Sequence, residues 1–302
     1  MKDAPLLHAV EAAAYHWLRG ALRLLPHAAA RRLGRALGEV GYRLDRRHRR
    51  VALGNLALAY PELAASARRR LARRCFRHLG AAVCDTVSAQ RFDLVEMCRR
   101  VHLEGWEHVE AARAAAAPRG IFAMTAHLGL WEMGAQVFGT YGGTLHVVGR
   151  SLDNPHLDRH LAEHRRRFGN RLLAKRGAAR GIIRAIDGGE NVALLIDQRV
   201  QPHEGIEVPF FGRPATTSPV LAKMSLRLGV PVVPAYCLPL PAGRYRTVFR
   251  PPIEPPVPAP QAGDDERDAA VLALTARYMA EIEGEIRRNP EQWLWLHRRW
   301  RR

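Results

Sequence analysis

The chain has 302 residues, 47% of them hydrophobic and 25% charged, which is the balance of a folded protein with room for one large core, alone or with an appended subdomain. That excludes a disordered chain, apart from the ends and the proline-rich residues 251–260. A formal net charge of +18, almost wholly arginine because Lys2, Lys175 and Lys223 are the only lysines, points to an acidic partner: nucleic acid, an anionic membrane, or a phosphorylated or acidic substrate.

Over residues 6–25, Leu7, Val10, Ala14, Trp17, Leu18, Ala21 and Leu25 recur at helical spacing, with His8, His16, Arg19 and Arg23 off that stripe. The pattern fits either a helix lying in a membrane interface or one packed on the core. Glu11, Arg19 and Arg23 interrupt it, so it is neither a spanning helix nor the apolar region of a cleaved signal. A helix over 28–44 leads into the basic run 46–50, which is either a solvated face or a patch gaining about 1 kcal/mol per arginine near an anionic surface. An apolar stretch at 51–60 follows. Residues 61–100 continue as helix, with Ser66 as N-cap and a stripe through Leu71, Cys75, Leu79 and Val83. Nothing in residues 1–100 looks catalytic, and they read as a helical portion for packing and surface attachment.

Beyond Val101, β-rich runs at 121–126, 145–149, 192–196, 230–236 and 245–249 alternate with helical stretches near 105–116, 131–138, 155–168, 177–187 and 218–228. Such alternation predicts an α/β core over 101–302, a mixed central sheet flanked by helices. His127 and Asp197 both fall at strand ends, where reactive residues of such folds gather. The proline-rich stretch reads as a rigid connector to a last helix at 264–288. After it, Trp293, Trp295 and Trp300 among arginines predict an amphipathic segment at a boundary between water and an apolar phase.

The stretch with chemistry is 120–134, where a buried strand delivers His127 and, five residues on, Glu132. Five residues on a regular helix would set the two side chains about 140° apart. His127 therefore belongs to the loop leaving the strand, Gly129 to a tight bend, and Glu132 to the start of the next helix, where it can orient the imidazole. A histidine beside a glutamate is also compatible with a satisfied core pair. No G-x-S-x-G elbow or attacking cysteine accompanies them, and Cys75, Cys84, Cys98 and Cys237 have no metal-site spacing and read as reduced core residues. A His–carboxylate pair without a nucleophile suits a reaction in which the substrate's own hydroxyl attacks an acyl carbonyl.

His127-Leu-Gly-Leu-Trp-Glu132 resembles the His-x4-Asp/Glu motif of the glycerolipid and lysophospholipid acyltransferase superfamily, and more narrowly the late lipid A biosynthesis acyltransferases, the lauroyl and myristoyl transferases. Four further stretches agree in order and spacing: Arg150-Ser-Leu-Asp-Asn154-Pro155 with residues 165–169, Ile196-Asp197-Gln198, Val208-Pro-Phe-Phe-Gly212-Arg-Pro-Ala-Thr-Thr217, and Pro290-Glu-Gln-Trp-Leu-Trp-Leu-His297-Arg298-Arg299. The resemblance runs from about residue 15 to the end and takes in Asn55-Leu56 and Tyr60-Pro61.

The resemblance implies an α/β fold with a helical, membrane-associated N-terminal portion, and O-acyl transfer from an acyl carrier protein thioester to a lipid A precursor or another glycolipid or lysophospholipid acceptor. His127 would be general base and Glu132 its assistant, with no metal and no cofactor beyond the thioester. Arg150, Asn154, Arg165, Asp197, Gln198, Phe211 and Gly212 would lie on the substrate side. Arg150 and Arg165 suit phosphates, although Arg166 and Arg167 are as available. Asp197-Gln198 would organise the site or cap a turn, and Phe211-Gly212 would shape the acyl pocket or simply pack a loop. The three charges within 6–25 favour peripheral attachment at the cytoplasmic face of an inner membrane. An acidic carrier protein and an anionic glycolipid account for the +18 charge without nucleic acid, whose binding would call for basic residues interleaved with more than the 7% aromatic content found here.

Overall fold

The computed structural model describes residues 4–175, 177–256 and 263–300, so residues 257–262 of the expected proline-rich connector lie outside the described residues. The chain up to Arg100 is helical: α1 (Ala4–Leu24), α2 (His27–Leu44), α3 (Arg46–Ala59), α4 (Ala65–Ala89) and α5 (Leu94–Arg100). The basic run forms the start of α3, begun by the Asp45 carboxylate, which accepts from His48 N–H at 2.9 Å. Two expectations fail in the next segment. Ala64 rather than Ser66 precedes α4, and the helix expected over 61–100 breaks after Ala89, where the Asp93 carboxylate accepts from Glu96 N–H at 2.8 Å and starts α5.

α2 has two unlike faces. Ala30, Gly34 and Gly38, four residues apart, are buried against α4. A Cβ on Gly80 would sit 2.1 Å from Gly34 O, so the two backbones touch. On the other side Leu33, Leu37, Val40 and Leu44 are exposed, as are Leu6, Leu7, Val10, Trp17 and Leu24 of α1. Trp17 and Val10 thus belong to the outward face of α1, while Leu22 packs inward with Ala30, Cys84 and Val87. No helix among the described residues is long and apolar enough to cross a membrane.

The remainder runs β1 (Val101–Glu104), α6 (Trp106–Ala116), β2 (Phe122–Thr125), α7 (Trp131–Gly142), β3 (Leu145–Gly149), α8 (Pro155–Arg166), β4 (Asn170–Ala174), α9 (Ala178–Asp187), β5 (Asn191–Leu195), β6 (Ile206–Phe210), β7 (Arg213–Thr217), α10 (Val220–Leu228), β8 (Val232–Pro239), β9 (Tyr245–Phe249) and α11 (Asp264–Arg288). Seven strands form one sheet in the order β1-β9-β8-β2-β5-β3-β4. Only β8 and β9 pair antiparallel, so the sheet is mixed and flanked by helices, as the alternation predicts. Three elements were not expected from the sequence: β1, β4, and the β6–β7 hairpin that replaces a loop. In the hairpin Pro209 faces Pro214, which a free two-stranded ribbon tolerates and a central strand would not. Its turn is Phe211-Gly212 with φ of 52° and 67°, the left-handed pair of a type I′ turn.

One apolar cluster joins Leu56, Leu71, Cys75 and Phe76 of the helical portion to Phe122, Met124, Val192 and Val233 of the sheet and to Trp293 and Trp295 of the tail. The tail is therefore core rather than a surface segment, contrary to the sequence expectation. Trp293, Trp295, Arg299 and Trp300 are buried, and the Arg299 guanidinium donates to Thr216 O and Thr217 Oγ1 and lies 5.2 Å from the Phe210 ring centroid. Those partners make burial of the arginine tolerable. Asn55 fastens the tail to α3, donating to Trp295 O at 2.8 Å and His297 O at 2.6 Å.

Candidate active site

β2 and β5 lie side by side at the centre of the sheet, and their parallel register sets Thr125 opposite Leu195. Each chain leaves its strand at the same end, so the residues two positions further on, His127 and Asp197, become neighbours. Past His127 the loop bends at Gly129, whose φ is 63° and where a Cβ would stand 2.2 Å from Cys237 O, so only glycine fits. α7 then begins at Trp131 and carries Glu132 in its first turn, the loop-then-helix arrangement read from the five-residue offset.

The carboxylate at the imidazole is Asp197, not Glu132. His127 Nδ1 lies 2.9 Å from Asp197 Oδ1, and His127 backbone N–H donates to Oδ2, also at 2.9 Å. Trp293 Nε1–H donates to the same Oδ2 at 2.8 Å. Burial raises the Asp197 pKa, but the His127 charge and these hydrogen bonds outweigh it and hold the carboxyl below its ordinary value. Burial likewise lowers the His127 pKa, and the Asp197 charge and hydrogen bond, with the Glu132 charge behind them, turn the net shift upward. An ionised Asp197 only accepts, so Nδ1 carries the proton and Nε2 of the neutral ring keeps its lone pair. Among the described residues Nε2 makes no hydrogen bond. The Trp131 ring packs 5.3 Å from that of His127.

Glu132 instead accepts from Arg165 of α8, at 2.6 Å from Nη2 and 3.2 Å from Nε. Its place in the first turn of α7 aims it at α8, and a carboxylate there also meets the positive end of the helix dipole. The three consecutive arginines are now distinct: Arg165 is partly buried on Glu132, Arg166 is exposed, and Arg167 donates to Gln90 O at 3.2 Å.

The other residues singled out in the sequence are more dispersed. Asn154 is the N-cap of α8, accepting from His156 and Leu157 N–H, while its Nδ2 donates to His8 O at 2.8 Å and Glu11 Oε2 at 3.0 Å. It therefore ties α1 to α8. Arg150 is exposed and paired with its neighbour Asp153. Gln198 follows Asp197, half-buried. Phe211 and Gly212 form the hairpin turn, where Phe211 packs on Tyr60, Trp295 and Trp300 and donates its N–H to Glu283. That aromatic layer stands behind Trp293 rather than in contact with His127. Sequence reasoning passed over Trp293 as a donor to Asp197. The only signal for it was the tail motif itself, because no local pattern links residues 96 positions apart.

An apolar cavity of about 240 Å³ opens beside this centre between α1, α4, α8 and the start of α7, with Leu79, Ala82, Val83, Leu157, Trp131 and Glu132 among its walls. A larger cavity of about 700 Å³ lies between α2, α4 and the β8–β9 connection, lined by Arg32, Arg35 and Arg77, and none of His127, Glu132 or Asp197 reaches it.

Residues 3–302 match the family model described as bacterial lipid A biosynthesis acyltransferase. The chain is 31% identical over 282 residues to the lipid A biosynthesis lauroyltransferase of Escherichia coli K12, covering 92% of this chain and 87% of that one. It is 28% identical to the lipid A biosynthesis palmitoleoyltransferase of the same strain and 26% identical to a lipid A biosynthesis acyltransferase of Haemophilus influenzae, each match covering 92% of this chain and 86% of the relative.

Proposed function

The chain belongs to the bacterial lipid A biosynthesis acyltransferase family, and on that premise we propose that it moves a fatty acyl chain from an acyl carrier protein thioester to a hydroxyl of a lipid A precursor. His127 Nε2 removes the proton of the acceptor hydroxyl as its oxygen attacks the thioester carbonyl. Asp197 keeps Nδ1–H in place and stabilises the imidazolium that forms. The tetrahedral intermediate collapses with loss of the carrier's thiolate, which takes the proton back from Nε2–H. No cofactor beyond the thioester takes part. Glu132, gripped by Arg165, shapes the mouth of the apolar cavity, and that cavity receives the acyl chain.

The observation that carries this reading is the orientation of His127, with Nδ1 held by a buried carboxylate and Nε2 without a hydrogen bond among the described residues. The outward apolar faces of α1 and α2 support peripheral attachment to the cytoplasmic face of an inner membrane, with the lipid acceptor reaching the cavity beneath α1 from the bilayer. Purified full-length protein, supplied with an acyl carrier protein thioester and a lipid A precursor, should add one acyl mass to the lipid by mass spectrometry. His127→Ala should lower the rate by at least about 100-fold. Undiminished transfer by His127→Ala would sink the mechanism.

A further inference from the structure

Away from the walls of the apolar cavity, three separate segments bring arginines together. Arg47 and Arg50 come from the first turns of α3, Arg199 follows Asp197 by two residues, and Arg298 comes from the tail. They line two adjoining cavities of about 340 Å³ each, which share Val51, Arg199 and Arg298. No carboxylate belongs to either wall among the described residues. Their neighbours in the same run are already committed, His48 to Asp45 and Arg49 to Tyr42 O and Arg43 O. Arg47, Arg50, Arg199 and Arg298 form no ion pair among the described residues.

Unpaired guanidinium groups around two adjoining cavities repel each other, and a fold tolerates that arrangement when an anion bridges them. The groove also adjoins the reacting centre. His127 O accepts from Leu294 N–H at 3.0 Å, Leu294 O accepts from His297 N–H at 3.3 Å, and His297 lines the groove. His297 also feels the charges of Asp197 and His127, so the cationic walls and the reacting centre share a neighbour. A phosphate ester, with several acceptor oxygens and up to two charges, matches forked guanidinium donors. The concave shape favours such a compact group over the broad acidic face of a protein.

We propose that the groove formed by Arg47, Arg50, Arg199 and Arg298 is a phosphate-ester subsite for one of the two substrates. The proposal rests on the acyltransferase reading. The phosphate belongs either to the glycolipid acceptor or to the phosphopantetheine arm that carries the acyl thioester.

The test begins with binding alone. Calorimetric titration of the full-length protein with inorganic phosphate should show one site, weakened about tenfold by Arg298→Gln and by Arg47→Gln/Arg50→Gln. Arg113→Gln, the same charge change at an exposed position of α6, should leave it unaltered. The kinetic arms then identify the source. A rise of about tenfold in KM for a phosphorylated acceptor, absent with its dephosphorylated form, assigns the groove to the acceptor. A rise for acyl-phosphopantetheine, absent with acyl-pantetheine, assigns it to the donor. A rise confined to the intact carrier protein would mark an acidic protein surface and overturn the subsite, as would phosphate affinity that is unchanged in the variants or equally weakened by Arg113→Gln. If no donor supports transfer by wild-type protein while the variants still lose phosphate, the acyltransferase reading fails and the subsite stands.

Discussion

Asp197 holds His127 twice, accepting the ring Nδ1–H on one carboxylate oxygen and the backbone N–H on the other, each at 2.9 Å. The double contact fixes both the position of the ring and its tautomer. It also sets a pH dependence. The His127 pKa is raised above its ordinary 6.5, so the acidic limb of kcat/KM should lie above pH 6.5, because the protonated ring cannot accept the substrate proton. Asp197→Asn removes the charge that raises it, so the limb should move to lower pH while the rate falls by about 100-fold as the tautomer is released. A pH–rate profile in which the limb stays in place would separate Asp197 from the titration of His127.

Stability follows the same linkage with two signs. The raised His127 pKa contributes stability that is fully present below the unfolded histidine value and lost as pH rises through the folded one. The depressed Asp197 pKa contributes stability present above the unfolded carboxyl value and lost as pH falls through the folded one. The stability difference between wild type and His127→Gln in urea unfolding should therefore be largest between about pH 4 and pH 6.5, the ordinary carboxyl and imidazole values.

Glu132 stands in a different relation to the ring. Its carboxylate is held by Arg165, and its charge is the smallest of the influences on the imidazole. Glu132→Gln should leave the acidic limb nearer its wild-type position than Asp197→Asn does, although both reduce turnover. Arg165→Lys should not restore the wild-type rate, since an ammonium cannot reproduce the two-pronged contact. Parallel pH profiles of the two carboxylate variants decide the matter, and a larger displacement by Glu132→Gln would return the orienting role to Glu132.

The sequence made part of this arrangement legible. The alternation of apolar runs and helical stretches led to the mixed sheet, and the five-residue offset led to the loop at His127 and the helix at Glu132. The partner of the imidazole was not legible from that offset, because it is set by the parallel register of β2 and β5, which brings together residues 70 positions apart. The tail misled for a related reason. Three tryptophans beside arginines look the same whether they face a membrane or a core, and the partners that draw them inward, the hairpin, Asn55, Cys75 and Asp197 among them, lie far away in the chain. The hairpin itself was hidden by Pro209 and Pro214, which weaken any strand pattern.

Gly80 offers a test of the helical portion. A Cβ there would stand 2.1 Å from Gly34 O, and backbone on both sides leaves no flexible group to move aside. Gly80→Val should destabilise the protein by about 3 kcal/mol or more, as overpacking a close helix crossing does. Gly284→Ala, in α11 with nothing within 4 Å of the added methyl, should cost nothing and gain slightly in helix propensity. Denaturant unfolding of the two variants checks the contrast, and equal midpoints would mean that α2 and α4 do not cross so closely.

The outward faces of α1 and α2 leave large apolar side chains exposed. Val10, Trp17 and Leu24 lie seven residues apart on one face of α1, and Trp17 and Leu24 are 76% and 87% exposed. Nothing in the fold requires them there, whereas a bilayer interface would receive each with about 2 kcal/mol of apolar transfer. Trp17→Glu/Leu24→Glu should therefore weaken binding to vesicles containing anionic phospholipid by at least about 100-fold, since two such terms are lost and two like charges are brought to the headgroups. Flotation of the full-length protein measures this. Transfer to an acceptor dispersed in detergent should stay near the wild-type rate, because neither residue lines the cavity beside Glu132. Equal flotation of variant and wild type would remove α1 from the membrane contact. Loss of transfer in detergent would mean that the two side chains act on the fold or the site instead.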